Sequence, residues 1–205
     1  MKISWLDNLR VNATIGVILI HASATILFRF TKVPADHWWF ANLYNGGYRY
    51  VVPIFVMLSG ALLLPREEAI GPFLKKSFKR IVLPFLFYNL IFSIFNWQVR
   101  LRGKSFGFSD GLSWLGEQYF TGASYHFWYI YMIIGIYLFI PIIGRWIRSA
   151  PESHIQYFIG IWGLTILFNN PHFPYLKLPI ALTDFTGYVG YLVLGYYLST
   201  KEFSA

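Results

Sequence analysis

Cysteine is absent from the 205 residues, which excludes disulfides, thiolate nucleophiles and sulfur-ligated metals and leaves the redox compartment open. Charge is scarce: Asp, Glu, Lys and Arg together make up 13% of the chain, against about 25% in soluble domains. The five histidines are scattered and none forms an i, i+4 pair, so no metal site is expected. Glycine builds no nucleotide-binding loop either, since Gly46-Gly47 stands alone.

What is present is apolar. Hydrophobic residues account for 56% of the chain and lie in separate runs long enough to cross a bilayer. The sequence therefore predicts an all-α, polytopic integral membrane bundle of about six transmembrane helices with no soluble domain. The spans are expected over 11–28, 48–64, 81–97, 127–143, 155–168 and 185–198. The fifth is short and closes on Asn169-Asn170-Pro171. Ala22-Ser23-Ala24 imitates a signal-peptidase site, but the stretch before it is broken by Asn12 and Thr14 and runs on past it, so it reads as part of a retained span.

The net charge of +8 does not point to nucleic acid, because the basic residues sit mainly between apolar runs, where orientation and anionic lipid headgroups account for them. Of the 17 Lys and Arg residues, ten fall on one side of the predicted topology, with a tight cluster from Arg66 to Arg80 in a short loop. By the positive-inside rule that loop and both termini belong in the cytoplasm. Arg29, Lys32 and Arg49 then fall on the outer side. Trp38, Trp39, Tyr44 and Tyr48 read as an outer aromatic belt and Trp146 as an inner one.

The first span carries the clearest chemical signal. Arg10 and His21 are eleven residues apart, which on a helix is roughly 16 Å of rise and a return to nearly the same face. Asp7, Arg10, Thr14, Val17, His21 and Thr25 share that stripe, while Asn12 and Ser23 project to the opposite side. An ionisable residue inside a span marks a functional site by default, and the alternative is a histidine satisfied by a neighbouring helix.

Two further segments have chemical potential. In the second span, Pro53 near one end and the small residues Ser59-Gly60-Ala61 read as helix packing, with the Ser59 hydroxyl bonded to its own backbone. The loop carrying Lys75, Lys76, Lys79 and Arg80 is expected to end at the start of the third span, where helix N-terminal donors and four cations would hold a phosphorylated ligand or lipid headgroups. Arg80 stands out, because guanidinium grips phosphate in a bidentate way.

Taken together, the stretch from Trp5 to Arg10 leading to His21, the Leu58-Ser59-Gly60 segment, the basic block from Lys75 to Pro84 and the run from Tyr125 to Tyr131 resemble the acyltransferase-3 family of membrane O-acyltransferases. The similarity is greatest to the branch containing the enterobacterial common antigen O-acetyltransferase. It implies one acyltransferase domain over 1–205 that transfers an acyl group, usually acetyl, from acyl-coenzyme A to a hydroxyl of a cell-envelope carbohydrate or lipid-linked glycan. On this resemblance His21 is the catalytic histidine, Arg10 its partner in the motif, and Arg80 a donor-binding arginine supported by Lys76 and Lys79. The donor acetyl-coenzyme A is a substrate, and no bound cofactor is implied. Where the family carries a second arginine three residues before Arg80, this chain has Ser77. The family usually has about ten spans, so the six expected here imply that its C-terminal helices are missing.

A sugar hydroxyl becomes a nucleophile when its proton is removed, and a neutral imidazole such as His21 accepts one. No acid orienting His21 is evident; Asp36, Glu117 and Asp184 are outer-side candidates. Trp128 beside His126 is either a carbohydrate-facing residue or an interfacial anchor. Two other readings stay open: a non-enzymatic glycan export or assembly protein, and an inactive truncated acyltransferase.

Overall fold

The computed structural model describes residues 4–100, 107–168 and 187–202, and among them every regular element is helical. The helices are α1 (Ser4–Leu27), α2 (Ala35–Gly47), α3 (Val51–Leu63), α4 (Ile70–Ser77), α5 (Leu83–Arg100), α6 (Phe108–Thr121), α7 (Trp128–Ser149), α8 (Glu152–Phe168) and α9 (Val189–Ser199). Among the described residues four runs are long and apolar enough to cross a membrane: Trp5–Leu27, Ala35–Leu63, Ile70–Val99 and Tyr125–Ser149. This is the all-α membrane bundle expected from composition. The fifth and sixth expected spans correspond to the shorter helices α8 and α9; Asn169, Asn170, Pro171 and the start of the sixth lie outside the described residues.

Two boundaries differ from expectation in a way that matters for function. The second span begins at Ala35 rather than near residue 48, because the backbone stays bonded through the glycines: Tyr48 N–H donates to the Tyr44 carbonyl at 3.3 Å, Arg49 to Gly46 at 3.3 Å and Val51 to Tyr48 at 3.1 Å. Arg49, placed above on the outer side at the start of the second span, is therefore the midpoint of a 29-residue helical run. The third span likewise begins at Ile70, so the basic block is not a loop and no helix N-terminus sits beside Arg80.

The chain divides into two compact units, Met1–Arg66 with Gly144–Ala205, and Glu67–Ile143. In the first unit α1 runs antiparallel to α2 and α3, in a register fixed at three levels. Trp38 Nε1 donates to the Leu27 carbonyl at 3.0 Å, Asn45 Nδ2 donates to the Ile20 carbonyl at 3.2 Å, and Gly16 meets Tyr48 and Val51. A Cβ built on Gly16 would lie 2.5 Å from Val51 Cγ1, so the close approach requires glycine. The α3–α9 contact uses the same device reciprocally. A methyl on Gly60 would overlap the Leu192 carbonyl, and one on Gly195 the Met57 carbonyl, so the small residues read from the sequence are a backbone-to-backbone packing surface. Ser59 Oγ bonds the Phe55 carbonyl at 3.0 Å, as its position in an apolar helix predicts. Arg148 of α7 donates to the carbonyls of Leu64 and Arg66 at 2.8 and 2.9 Å and so satisfies the end of α3.

In the second unit α4 and α5 are joined by a π turn over Phe78–Val82. Proline explains it: Pro84 has no N–H for the carbonyl of Arg80 and its ring crowds that group, so the helix widens and Leu83 N–H reaches back to Phe78. Phe85, Ala123 and Phe127 form the core of this unit, with Phe92, Ile130 and Tyr131 packed on it. The fully buried Asn89 clamps the α6–α7 connection: its Nδ2 donates to the Gln118 carbonyl at 3.2 Å and its Oδ1 accepts from Ala123 N–H at 2.9 Å.

Candidate functional site

In the first unit the predicted stripe on α1 flanks the packed face. Leu6, Ala13, Gly16, Ser23 and Ala24 are buried against the neighbouring helices, while Asp7, Arg10, Thr14 and Thr25 are exposed and Val17 and His21 are half-buried. The threonines satisfy their hydroxyls within the helix, Thr14 on the Arg10 carbonyl at 2.8 Å and Thr25 on the Ala22 carbonyl at 3.3 Å. Arg10 donates to Asp7 Oδ1 at 3.0 Å, an exposed i, i+3 pair near the start of α1. The helix rise keeps it roughly 16 Å from His21.

The group that the fold brings to the level of His21 is a different one. The Ile20 carbonyl, one peptide before His21, accepts from Ser23 Oγ at 3.1 Å and from the buried Asn45 at 3.2 Å. Asn45 Oδ1 in turn accepts from Arg49, from Nε at 3.4 Å and from Nη2 at 3.2 Å. Two hydrogen bonds thus connect the guanidinium to the backbone that carries the histidine. Sequence reading passed over this pair, because the second span was expected to begin at Tyr48, which left Asn45 outside it and Arg49 at its edge. Their i, i+4 spacing in a continuous helix was the signal available.

An apolar cavity of about 620 Å³ also belongs to this unit, lined by Trp5, Leu9, Met57, Leu58, Gly195 and Lys201 among others. It lies toward the Trp5 end of α1, and His21 is not among its walls. At its rim Lys201 is bonded to Glu152, which also accepts from Tyr197 Oη at 3.1 Å. The bond to Lys201, then that to Tyr197, holds the Glu152 carboxyl below its ordinary value, and the bond to Glu152 raises Lys201.

In the second unit the donor-binding candidates lie on and beside the π turn. Lys76, Lys79 and Arg80 are exposed, and Lys76 Nζ stands 3.9 Å from Glu68. Ser77 precedes the turn and is half-buried. Because the helix is continuous, the backbone donors expected at an N-terminus here are already engaged in the ladder, and any anion held by this segment is held by side chains alone.

The remaining candidates are placed as follows. Asp36 is exposed, 4.0 Å from His37, and Glu117 is exposed on α6; Asp184 lies outside the described residues. His126 Nδ1 is 2.9 Å from Ser124 Oγ and packs edge-on to Phe92 and Phe127, while Trp128 is half-exposed at the start of α7. Among the described residues no group of three or more His, Asp or Glu side chains is arranged to hold a metal ion. A family model described as an acyltransferase domain matches residues 3–204. No curated protein and no solved structure matches the chain.

Proposed function

The chain belongs to the acyltransferase-3 family, and from that membership we propose that it transfers an acyl group, acetyl by preference, from acyl-coenzyme A to a hydroxyl of a cell-envelope carbohydrate at a bacterial inner membrane. The observation that carries this reading is the family match over nearly the whole chain together with a half-buried histidine inside a helix able to span the membrane. Placement in the enterobacterial common antigen branch, a cytoplasmic N-terminus and the glycan acceptor rest on the resemblance and on the distribution of basic residues.

In the proposed reaction His21 removes the proton of the acceptor hydroxyl as its oxygen attacks the thioester carbonyl. The new C–O bond forms, the carbonyl π pair moves onto oxygen, and collapse breaks the C–S bond. The leaving thiolate takes the proton back from the imidazolium, which restores His21. Arg10, near the first turn of α1, and Arg80, Lys76 and Lys79 around the π turn supply cations for the donor's phosphates, each within its own unit. Lys76 contributes least, since Glu68 already offsets its charge.

The test is analysis of envelope glycans from a deletion strain complemented with the wild-type chain or with His21→Ala at equal abundance. O-acetylation restored by wild type and absent with His21→Ala is the expected result; equal acetyl content per sugar in the two strains rejects the assignment.

A further inference from the structure

We propose that Arg49, tethered by Asn45, is the electrophilic partner of His21, its guanidinium taking up the negative charge that develops on the thioester carbonyl oxygen during acyl transfer. This rests on the reading of His21 as the base.

The position of Arg49 is the first argument. It is the midpoint of the helical run Ala35–Leu63, roughly 21 Å from either end at 1.5 Å per residue, whereas half the hydrocarbon thickness is about 15 Å. The partner helix gives the same depth independently. The Gly16 contact to Tyr48 and Val51 and the Ile20 bond to Asn45 bracket Arg49 at the middle of the Trp5–Leu27 span. A cation there is too deep to be explained by headgroups and is retained at considerable cost.

Its partners are the second argument. The recorded bonds use Nε and Nη2, both on Asn45 Oδ1, and among the described residues no carboxylate lies within ion-pair distance. A neutral amide oxygen orients the fork without cancelling its charge, and the side of the fork carrying Nη1 keeps its donors for another acceptor. The other arginines of this unit with recorded bonds are committed elsewhere, Arg10 to Asp7 and Arg148 to the end of α3. Arg49 is exposed on this unit, so the charge is accessible.

Chemistry supplies the third. The acyl-transfer step puts a full negative charge on an oxygen next to the base, and a fixed donor in a water-poor site is the most effective way to stabilise it. The tether from Asn45 to the Ile20 carbonyl fixes Arg49 relative to the backbone of His21, so base and electrophile are positioned by one network. Asn45 is a positioning residue in this scheme and Arg49 a catalytic one.

The experiment uses membranes of the deletion strain carrying the full chain, with radiolabelled acetyl-coenzyme A as donor and the resident glycan as acceptor. Arg49→Ala is expected to lower kcat by about 10²–10³-fold while KM for acetyl-coenzyme A stays within about twofold, and Arg49→Lys to recover part of the loss. Asn45→Ala is expected to lower kcat about tenfold, and Trp38→Phe, which removes an equivalent side-chain bond at Leu27, to leave it unchanged. Folded abundance is read by size-exclusion chromatography, and if Arg49→Ala is depleted, Arg49→Lys decides by the same kcat and KM criteria. A normal kcat in Arg49→Ala, a raised KM with unchanged kcat, or an equal fall in Trp38→Phe overturns the proposal. His21→Ala is assayed alongside. If it retains wild-type turnover, or wild type has none, the base assignment falls and this inference with it; if only the Arg49 variants behave as wild type, this inference falls alone.

Discussion

Two buried asparagines, one in each unit, do different work with the same side chain. Asn89 has both ends of its amide on backbone, with Gln118 accepting from it and Ala123 donating to it, and Ser93 bonds the Asn89 carbonyl at 2.7 Å. Every polar group it touches is thereby satisfied, which is what a structural clamp in an apolar bundle requires. Asn45 has one end on the Ile20 backbone and the other on a guanidinium. The first network closes on itself, and the second ties a guanidinium to the Ile20 carbonyl, on the backbone one residue before the histidine. Burial alone would have ranked Asn89 the more interesting residue. What its hydrogen bonds terminate on separates support from function.

The largest expected effect tests the closed network. Asn89→Leu leaves the buried Ala123 N–H without its acceptor and takes from the Gln118 carbonyl one of two donors, the other being Gly122 N–H at 2.9 Å, and should cost about 3 kcal/mol of stability, seen as a lower Tm in detergent, with unchanged turnover per folded molecule. Asn45→Ala should invert that pattern. One carbonyl on a helix loses an extra donor, so about 1 kcal/mol is expected in the same melt, yet acyl transfer falls about tenfold. Equal loss of both properties in the two variants would dissolve the distinction.

The contrast between a tethered charge and exposed ones gives two smaller effects. Arg80→Ala should raise KM for acetyl-coenzyme A about fivefold with kcat little changed, and Lys76→Ala should do less, because Glu68 stands 3.9 Å away. Ser77→Arg should lower KM if the segment binds phosphate through side chains. The smallest effect concerns the Glu152–Lys201 pair, which is open to solvent. The depressed carboxyl contributes stability that is complete above the ordinary glutamate value and lost as pH falls through its folded value. The raised ammonium contributes below the ordinary lysine value and loses that contribution as pH rises through its own folded value. Glu152→Gln should therefore trim Tm slightly between those limits and flatten its dependence on pH toward the acid end.

Several features could be read from the chain directly. The apolar runs, the polar stripe of α1, the packing role of Gly60 and the self-bonded hydroxyl of Ser59 all follow from periodicity and residue chemistry within one helix. Two expectations failed for local reasons. The second span was expected to begin at residue 48, but backbone bonding continues through Gly46-Gly47 and makes Arg49 the midpoint of a longer run. The block before Pro84 looked like a loop, but proline widened the helix into a π turn instead of ending it.

Composition and helical period by themselves determined that this is a membrane-embedded helical protein with a histidine on its first span, because both act along a single chain and need no partner. Which groups are tied to the backbone next to that histidine was decided only by tertiary structure. The register of α1 against α2 and α3 depends on a glycine contact and two side-chain bonds between residues 11 and 25 positions apart, and hydropathy along either helix is the same whichever way the two are slid.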